Sequence, residues 1–190
     1  MGLRAGLLRV QDWLSVRAHR QDLPYLRRAL AIEPSFRLLD IGGGTGAYTT
    51  VFAAGCEEVV VLEPDRRKAA YGERRRPNVR FVNGQAEEIP FTDDYFDRAT
   101  ALVSLHHVQD HDGGLREVRR VLKPPGRFVV EEFDPREGRG RRAHVFEGTF
   151  GGGHSTFYAP DDLAAKLKEH GFSEVAFEFV GPGYLAVASR

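Results

Sequence analysis

A single cysteine, Cys56, stands in 190 residues, so no disulfide can close within the chain and no cysteine set can hold a metal. Histidine-based metal ligation has no signature either, since no H-E-x-x-H helix occurs, and no metal is expected. Net charge is also missing. The 27 Lys and Arg balance the 27 Asp and Glu, which removes the whole-chain electrostatic case for a nucleic-acid partner. The local basic runs, Arg74-Arg75-Arg76 and Arg136 to Arg142, read as solvated charge on a helix end and a loop. No apolar run approaches membrane length. The first thirty residues are interrupted by Arg4, Arg9, Arg17, Arg20, Arg27 and Arg28, so no secretory h-region is expected there. A cytoplasmic protein with no membrane partner is the expectation. Repeats and low-complexity segments are absent, and nothing in the sequence speaks to oligomeric state.

What is present is an ordinary globular composition, 42% apolar and 28% charged, in a length that suits one domain, residues 1–190. A chain of this size buries roughly 70% of its unfolded surface. The rest is organised around Phe36 to Thr50. Phe36, Leu38, Leu39 and Ile41 form a short apolar run closed by glycines, the pattern of a buried parallel strand. Gly42, Gly43, Gly44 and Gly46 follow, a backbone that takes positive φ and lets a ligand approach closely. From Thr45 onward the spacing predicts a helix whose N-terminus points back at the glycines, a favourable place for an anionic group.

Taken in order, residues 3 to 32 have amphipathic helical spacing, two helices broken before Pro24. They form either a cover for a sheet edge or a flap over the ligand, here called the N-terminal helical flap, 1–32. Strands are expected at Val59 to Leu62, Val79 to Val82, Phe96 to Ser104 and Phe128 to Glu131, with helices between them. Pro160 and Asp161 open another helix, closed by Gly171, and Phe172 to Val180 pairs with Tyr184 to Ala188 across Gly181-Pro182-Gly183. The predicted fold is therefore α/β, a Rossmann-like doubly wound sheet of seven strands, mostly parallel with an antiparallel C-terminal hairpin. Its cofactor-binding core is 36–134 and its C-terminal helix and hairpin 160–190. The one long connection, Phe133 to Ala159, is glycine- and arginine-rich, and its residues 135–159 are read as a lid or an ordered surface loop.

In open α/β sheets the ligand sits at the carboxyl ends of the strands. Those ends carry Asp40 with the glycine turn, Glu63-Pro64, Gln85-Ala86, Ser104 to His107 and Glu131 to Asp134. A carboxylate at the tip of the second strand, Glu63, suits ribose hydroxyls, so a nucleoside-type ligand is expected. Gly42-x-Gly44-x-x-Ala47 also fits a dinucleotide fingerprint, which leaves an NAD-binding oxidoreductase open.

Asp40-Ile41-Gly42-Gly43-Gly44-Thr45-Gly46 resembles the D-x-G-x-G-x-G signature of class I S-adenosylmethionine-dependent methyltransferases. Gly84 to Phe91 with Phe96-Asp97 is similar to the adenine-contacting segment of that family. Leu105-His106-His107-Val108 with Leu115 to Pro124 is similar to its fourth strand and following helix. The set most resembles the branch that includes ubiquinone- and menaquinone-biosynthesis methyltransferases. The resemblance implies methyl transfer from S-adenosylmethionine to a small-molecule acceptor. It also implies roles. The backbone of Gly42, Gly43, Gly44 and Thr45 lies along the methionine and ribose, Asp40 holds the ammonium, and Glu63 with Pro64 borders the ribose. Gln85 and Ala86 meet the adenine edge, and Ser104 and Leu105 the ammonium side. A glutamine stands at Gln85 where an aspartate is usual, and Lys123-Pro124-Pro125-Gly126 replaces the usual K-P-G-G turn, so its geometry must differ.

His106 and His107 are candidates for a catalytic base or for structural histidines. His154 and Tyr158 are candidates for the acceptor pocket. Beside the methyltransferase, two readings stand: the oxidoreductase, and a non-catalytic protein that binds S-adenosylmethionine.

Overall fold

The computed structural model describes residues 2–138, 155–180 and 183–190. Two helices open the chain, α1 (Gly2–Ala18) and α2 (Leu23–Leu30). There follow β1 (Arg37–Ile41), the one-turn α3 (Thr49–Phe52), β2 (Glu58–Leu62), α4 (Arg66–Arg75) and β3 (Arg80–Val82). Then come β4 (Phe96–Leu102), a 3₁₀ turn (Leu105–His107), α5 (His111–Val121) and β5 (Leu122–Phe133). The end of the chain is α6 (Pro160–Glu169), β6 (Ser173–Val180) and β7 (Gly183–Ser189).

The seven strands form one sheet in the order β3-β2-β1-β4-β5-β7-β6. Strands β1 to β5 are parallel, and β7 enters antiparallel between β5 and β6, as the alternation of elements predicts. After β1 the chain winds outward through β2 and β3, then returns to place β4 on the other side of β1. The loops leaving β1 and β4 therefore diverge, and a crevice opens between them.

Strand alternation divides the apolar residues between the two faces. Leu39, Ile41, Val60, Leu62, Phe128 and Val130 pack toward α5 and α6, against Leu115, Val118, Leu163 and Leu167. Leu38, Val59, Val61, Val129 and Leu185 pack the other way, against Leu26 and Leu30 of α2 and against Phe52. Leu26 and Leu30 are wholly buried, each contributing ~1.5–3 kcal/mol, so α2 is an integral layer of the fold.

Two expectations need correction. The helix expected from Thr45 is only the single turn of α3. Gly46 at φ 74° keeps the backbone out of helical conformation. The hydroxyls of Thr49 and Thr50 are used locally, on Asp40 and on the Ala47 carbonyl. A turn this short offers no long dipole to an anion. Second, β5 is longer than Phe128 to Glu131, running back through the Lys123 to Gly126 turn, which contains a cis Pro124–Pro125 bond. Most of the expected lid, residues 139–154, lies outside the described residues. Its return end is held: the Thr156 N–H donates to the His106 carbonyl at 3.1 Å, and Phe157 is buried.

Candidate functional site

Asp40 ends β1 and is 3% exposed. Both its oxygens are occupied: Oδ2 accepts from the Thr49 hydroxyl at 2.5 Å, and Oδ1 from the Thr100 hydroxyl at 2.8 Å. Burial pushes its carboxyl up to about 6, against the pull of the two hydroxyls. The glycine turn that follows is shaped by close packing. Gly42, at φ 70°, has no space for a Cβ, because one would stand 2.6 Å from Ser104 Cβ. A side chain at Gly43 would run into the Asp40 carboxylate. Gly44 is different. At φ 61° a Cβ would meet nothing within 4 Å, so the space above it is open.

Glu63, just past β2, fixes that loop from the other side. Its Oε2 accepts the Gly44 N–H at 2.8 Å, and its Oε1 accepts the Asp65 N–H at 2.9 Å. Ser104 ties the end of β4 to β1 by donating its hydroxyl to the Ile41 carbonyl at 2.6 Å. The Ser104 carbonyl accepts the His107 N–H at 3.1 Å.

These residues border a cleft with two halves. The larger, about 440 Å³, is lined by Gly42, Glu63, Pro64, Gln85, Ala86, Ser104 and His107. The smaller, about 270 Å³, is lined by Asp40, Gly42, Gly43, Gly44 and Thr45, with Asp12, Ser15 and His19 from the N-terminal helices. Gly42, Lys68 and Val103 border both halves.

The match to known proteins decides the class of the fold. Residues 39–130 match the family model of a methyltransferase domain. This stretch is a methyltransferase domain. A demethylmenaquinone methyltransferase of Beutenbergia cavernae is 40% identical over 105 residues, covering 55% of this chain and 44% of that protein. A ubiquinone/menaquinone biosynthesis C-methyltransferase of Vibrio parahaemolyticus is 38% identical over 133 residues, covering 65% of this chain and 51% of the relative. The chain thus spans about half the length of the curated relatives it matches. Among solved structures, a SAM-dependent methyltransferase from Thermotoga maritima superposes with a TM-score of 0.76 at 22% identity, covering 96% of this chain and 95% of its own. A SAM-dependent methyltransferase from Aquifex aeolicus gives 0.74 at 16% identity, covering 92% of each. At such identities these two likenesses are of fold.

Among the described residues, the candidate site residues border the cleft with three exceptions, Leu105, His106 and Tyr158. Leu105 lines neither half; it is buried in the main core. His106 also lines neither half. It is 3% exposed, its Nδ1 lies 2.9 and 3.0 Å from the two oxygens of Glu132, and its ring stacks on Phe157 at 4.1 Å. It is a buried post, shut off from any acceptor in this conformation. Tyr158 packs against the core, its carbonyl accepting the Tyr184 hydroxyl at 2.7 Å, and lines neither half. His154 lies outside the described residues. His107, by contrast, is exposed and borders the larger half.

Sequence reasoning also missed several residues. Lys68 is one basic residue among many in α4. Val103, a β-branched residue at φ 51°, is an outlier that borders both halves. Nothing in the local sequence marks it. Asp12 and His19 belong to a helical region read only as a cover or a flap. Asp12 takes the Arg76 guanidinium at 2.7 Å and the Thr45 hydroxyl, so α1 is fastened to the glycine turn. His19 binds Glu131, with Nδ1 2.9 Å from Oε1. Burial alone would lower the His19 pKa, but the hydrogen bond and charge of Glu131, with Asp22 nearby, outweigh it and raise the value.

Proposed function

We propose that this chain transfers a methyl group from S-adenosylmethionine to a small hydroxylated ring of the quinol class. The observation that carries it is the cleft itself: the buried Asp40 carboxylate and an open glycine turn in one half, and the Glu63 carboxylate beside Gln85 and Ala86 in the other. The open space above Gly44, which any side chain would fill, is where a ligand fits against backbone. Within this reading Asp40 faces the ligand's ammonium, Glu63 accepts from its ribose hydroxyls, and Gln85 and the Ala86 backbone border its adenine.

Glu63 already accepts two N–H groups, but a carboxylate has about four lone-pair sites, so two remain for hydroxyls. The same carboxylate therefore shapes the loop and holds the ligand. Bound there, S-adenosylmethionine supplies an electrophilic methyl on a sulfonium, a group that needs an aligned nucleophile more than acid catalysis. Alignment of this kind lowers a barrier by ~7–11 kcal/mol at best.

Relatives named for demethylmenaquinone and for ubiquinone and menaquinone biosynthesis support this acceptor class. A quinone ring is electron-poor and does not attack an electrophilic carbon; its reduced dihydroxy form does. Calorimetry with S-adenosylhomocysteine and with NADH tests the cofactor, with binding of the first and none of the second expected. Transfer of radiolabelled methyl to reduced demethylmenaquinone tests the acceptor. Binding of NADH alone would sink the whole reading, and tight S-adenosylhomocysteine binding without turnover on any acceptor would favour a non-catalytic binder.

A further inference from the structure

The turn joining α1 to α2 brings His19 to the half of the cleft that holds Asp40 and the glycine loop. Its Nδ1 is 2.9 Å from Glu131 Oε1 and 3.8 Å from Asp22 Oδ2. Tyr48 stacks on the imidazole at 5.1 Å and 29°, while the Tyr48 hydroxyl donates to the His19 carbonyl at 3.0 Å. Ring, main chain and Nδ1 are thus all fixed, and the side chain keeps 21% of its surface exposed. Glu131 stands at the carboxyl end of β5, in register with Leu102, and its carbonyl accepts the N–H of Val103, which borders both halves of the cleft. The other carboxylate oxygen, Oε2, is buried and accepts no hydrogen bond among the described residues, so His19 is the one side chain hydrogen-bonded to this carboxylate there.

We propose that His19 is the catalytic base that takes the acceptor's hydroxyl proton, and that Glu131 is the positioning residue that sets its tautomer. The proposal rests on the methyltransferase reading above. With Nδ1–H donating to Glu131, the imidazole lone pair sits on Nε2. As the acceptor O–H breaks, its proton goes to Nε2 and the oxygen's electron pair moves into the ring. The adjacent ring carbon forms its bond to the methyl, and the S–CH3 bond breaks with its electron pair left on sulfur as a neutral thioether. The imidazolium then returns its proton to the ring oxygen while the methylated carbon releases its own to water, so one proton leaves per methyl transferred. Glu131 and Asp22 both favour the imidazolium that forms midway. Among the described residues, the other ionisable groups facing this space are Tyr48, Asp12, Asp40 and Lys68.

Nuclear magnetic resonance of ¹⁵N-histidine protein saturated with S-adenosylhomocysteine reads the tautomer with no acceptor present. Neutral His19 protonated on Nδ1 is expected, with loss of that preference in Glu131→Ala, which removes the acceptor. A wild-type Nε2–H tautomer overturns the proposal. Kinetics with reduced demethylmenaquinone form the second arm. His19→Gln is expected to keep its S-adenosylhomocysteine affinity, to lose ~10²-fold or more in kcat, and to lose the acid limb of the kcat profile. Glu131→Gln should retain that limb but move it to lower pH, which a merely structural role would not do. An unchanged limb in His19→Gln overturns the base. Loss of wild-type activity to a chelator, restored by a divalent ion, also overturns it, because His19, Asp22 and Glu131 place donor atoms within 4.8 Å of one another. If the wild type ignores this ring but methylates another hydroxylated ring, only the quinol reading falls, and the same limb is read on that ring. The tautomer measurement decides the pair in either case.

Discussion

Glu131 and Glu132 are neighbours at the end of β5, and each holds a histidine on an opposite face of the sheet. Glu131 holds His19 at 2.9 Å beside the cleft, and Glu132 holds His106 at 2.9 Å inside the core. The pleat alone separates them. Glu132 and His106 are 2% and 3% exposed, and Glu132 also accepts the His106 N–H at 3.2 Å. Removing the carboxylate strands both donors.

Glu132→Ala should therefore destabilise the fold by about 2–5 kcal/mol, with cofactor affinity of the folded fraction unchanged. Urea unfolding with and without S-adenosylhomocysteine checks this. A variant of wild-type stability would contradict the structural role given to His106.

Asp40 makes the protein sensitive to pH. Its carboxyl is raised to about 6 in the folded protein by burial, from an ordinary value near 3.8 when unfolded. A raised acid binds its proton more tightly in the folded state. Its stabilising effect is full below the unfolded value and is lost as pH rises through about 6, a change of about 3 kcal/mol. Ligand affinity should run the other way. A cationic ammonium favours the ionised carboxylate, so S-adenosylhomocysteine should bind more tightly as pH rises from 5 to 7 and then level off. Calorimetry across that range, repeated on Asp40→Asn, is the check, and the variant should show no such rise.

Glu63→Ala should weaken S-adenosylhomocysteine binding at least tenfold, since charge-assisted hydrogen bonds contribute ~1.5–3 kcal/mol each. The loss has two sources, the ribose hydroxyls and the shape of the loop, because Gly44 and Asp65 lose their acceptor as well. Glu63→Gln separates them: it keeps an acceptor for one N–H and should fall between wild type and Ala. Unchanged affinity in Glu63→Ala would remove this residue from the site.

Gly42 and Gly44 share a positive φ but should respond differently to alanine. At Gly42 the new methyl would collide with Ser104, adding overpacking of ~1–3 kcal/mol to a left-handed cost of ~1–2 kcal/mol. Thermal unfolding should show a large fall. At Gly44 only the left-handed cost applies, and the methyl occupies the open space of the cleft. Gly44→Ala should stay folded and lose affinity, and Gly44→Val more so. Equal stability losses with binding intact would mean that the ligand does not approach the turn.

The sequence by itself determined the sheet and the strand-end residues that border the cleft. Both are encoded locally: apolar runs of strand length, glycines where φ must be positive, and polar residues at one end of each strand. Parallel crossovers then carry Asp40, Gly42 to Thr45, Glu63, Gln85, Ala86 and Ser104 to the same edge with no further information needed. The division of labour among the histidines was settled only in three dimensions. His106 and His107 are adjacent in the chain, yet one is sealed against Glu132 and Phe157 and the other is exposed at the cleft. His19 meets Glu131 across 112 positions of sequence. No local pattern encodes that pairing, because it depends on α2 burying Leu26 and Leu30 against one sheet face and so fixing where the turn before it must stand. Long-range packing set those partners, and the packing is a property of the assembled core.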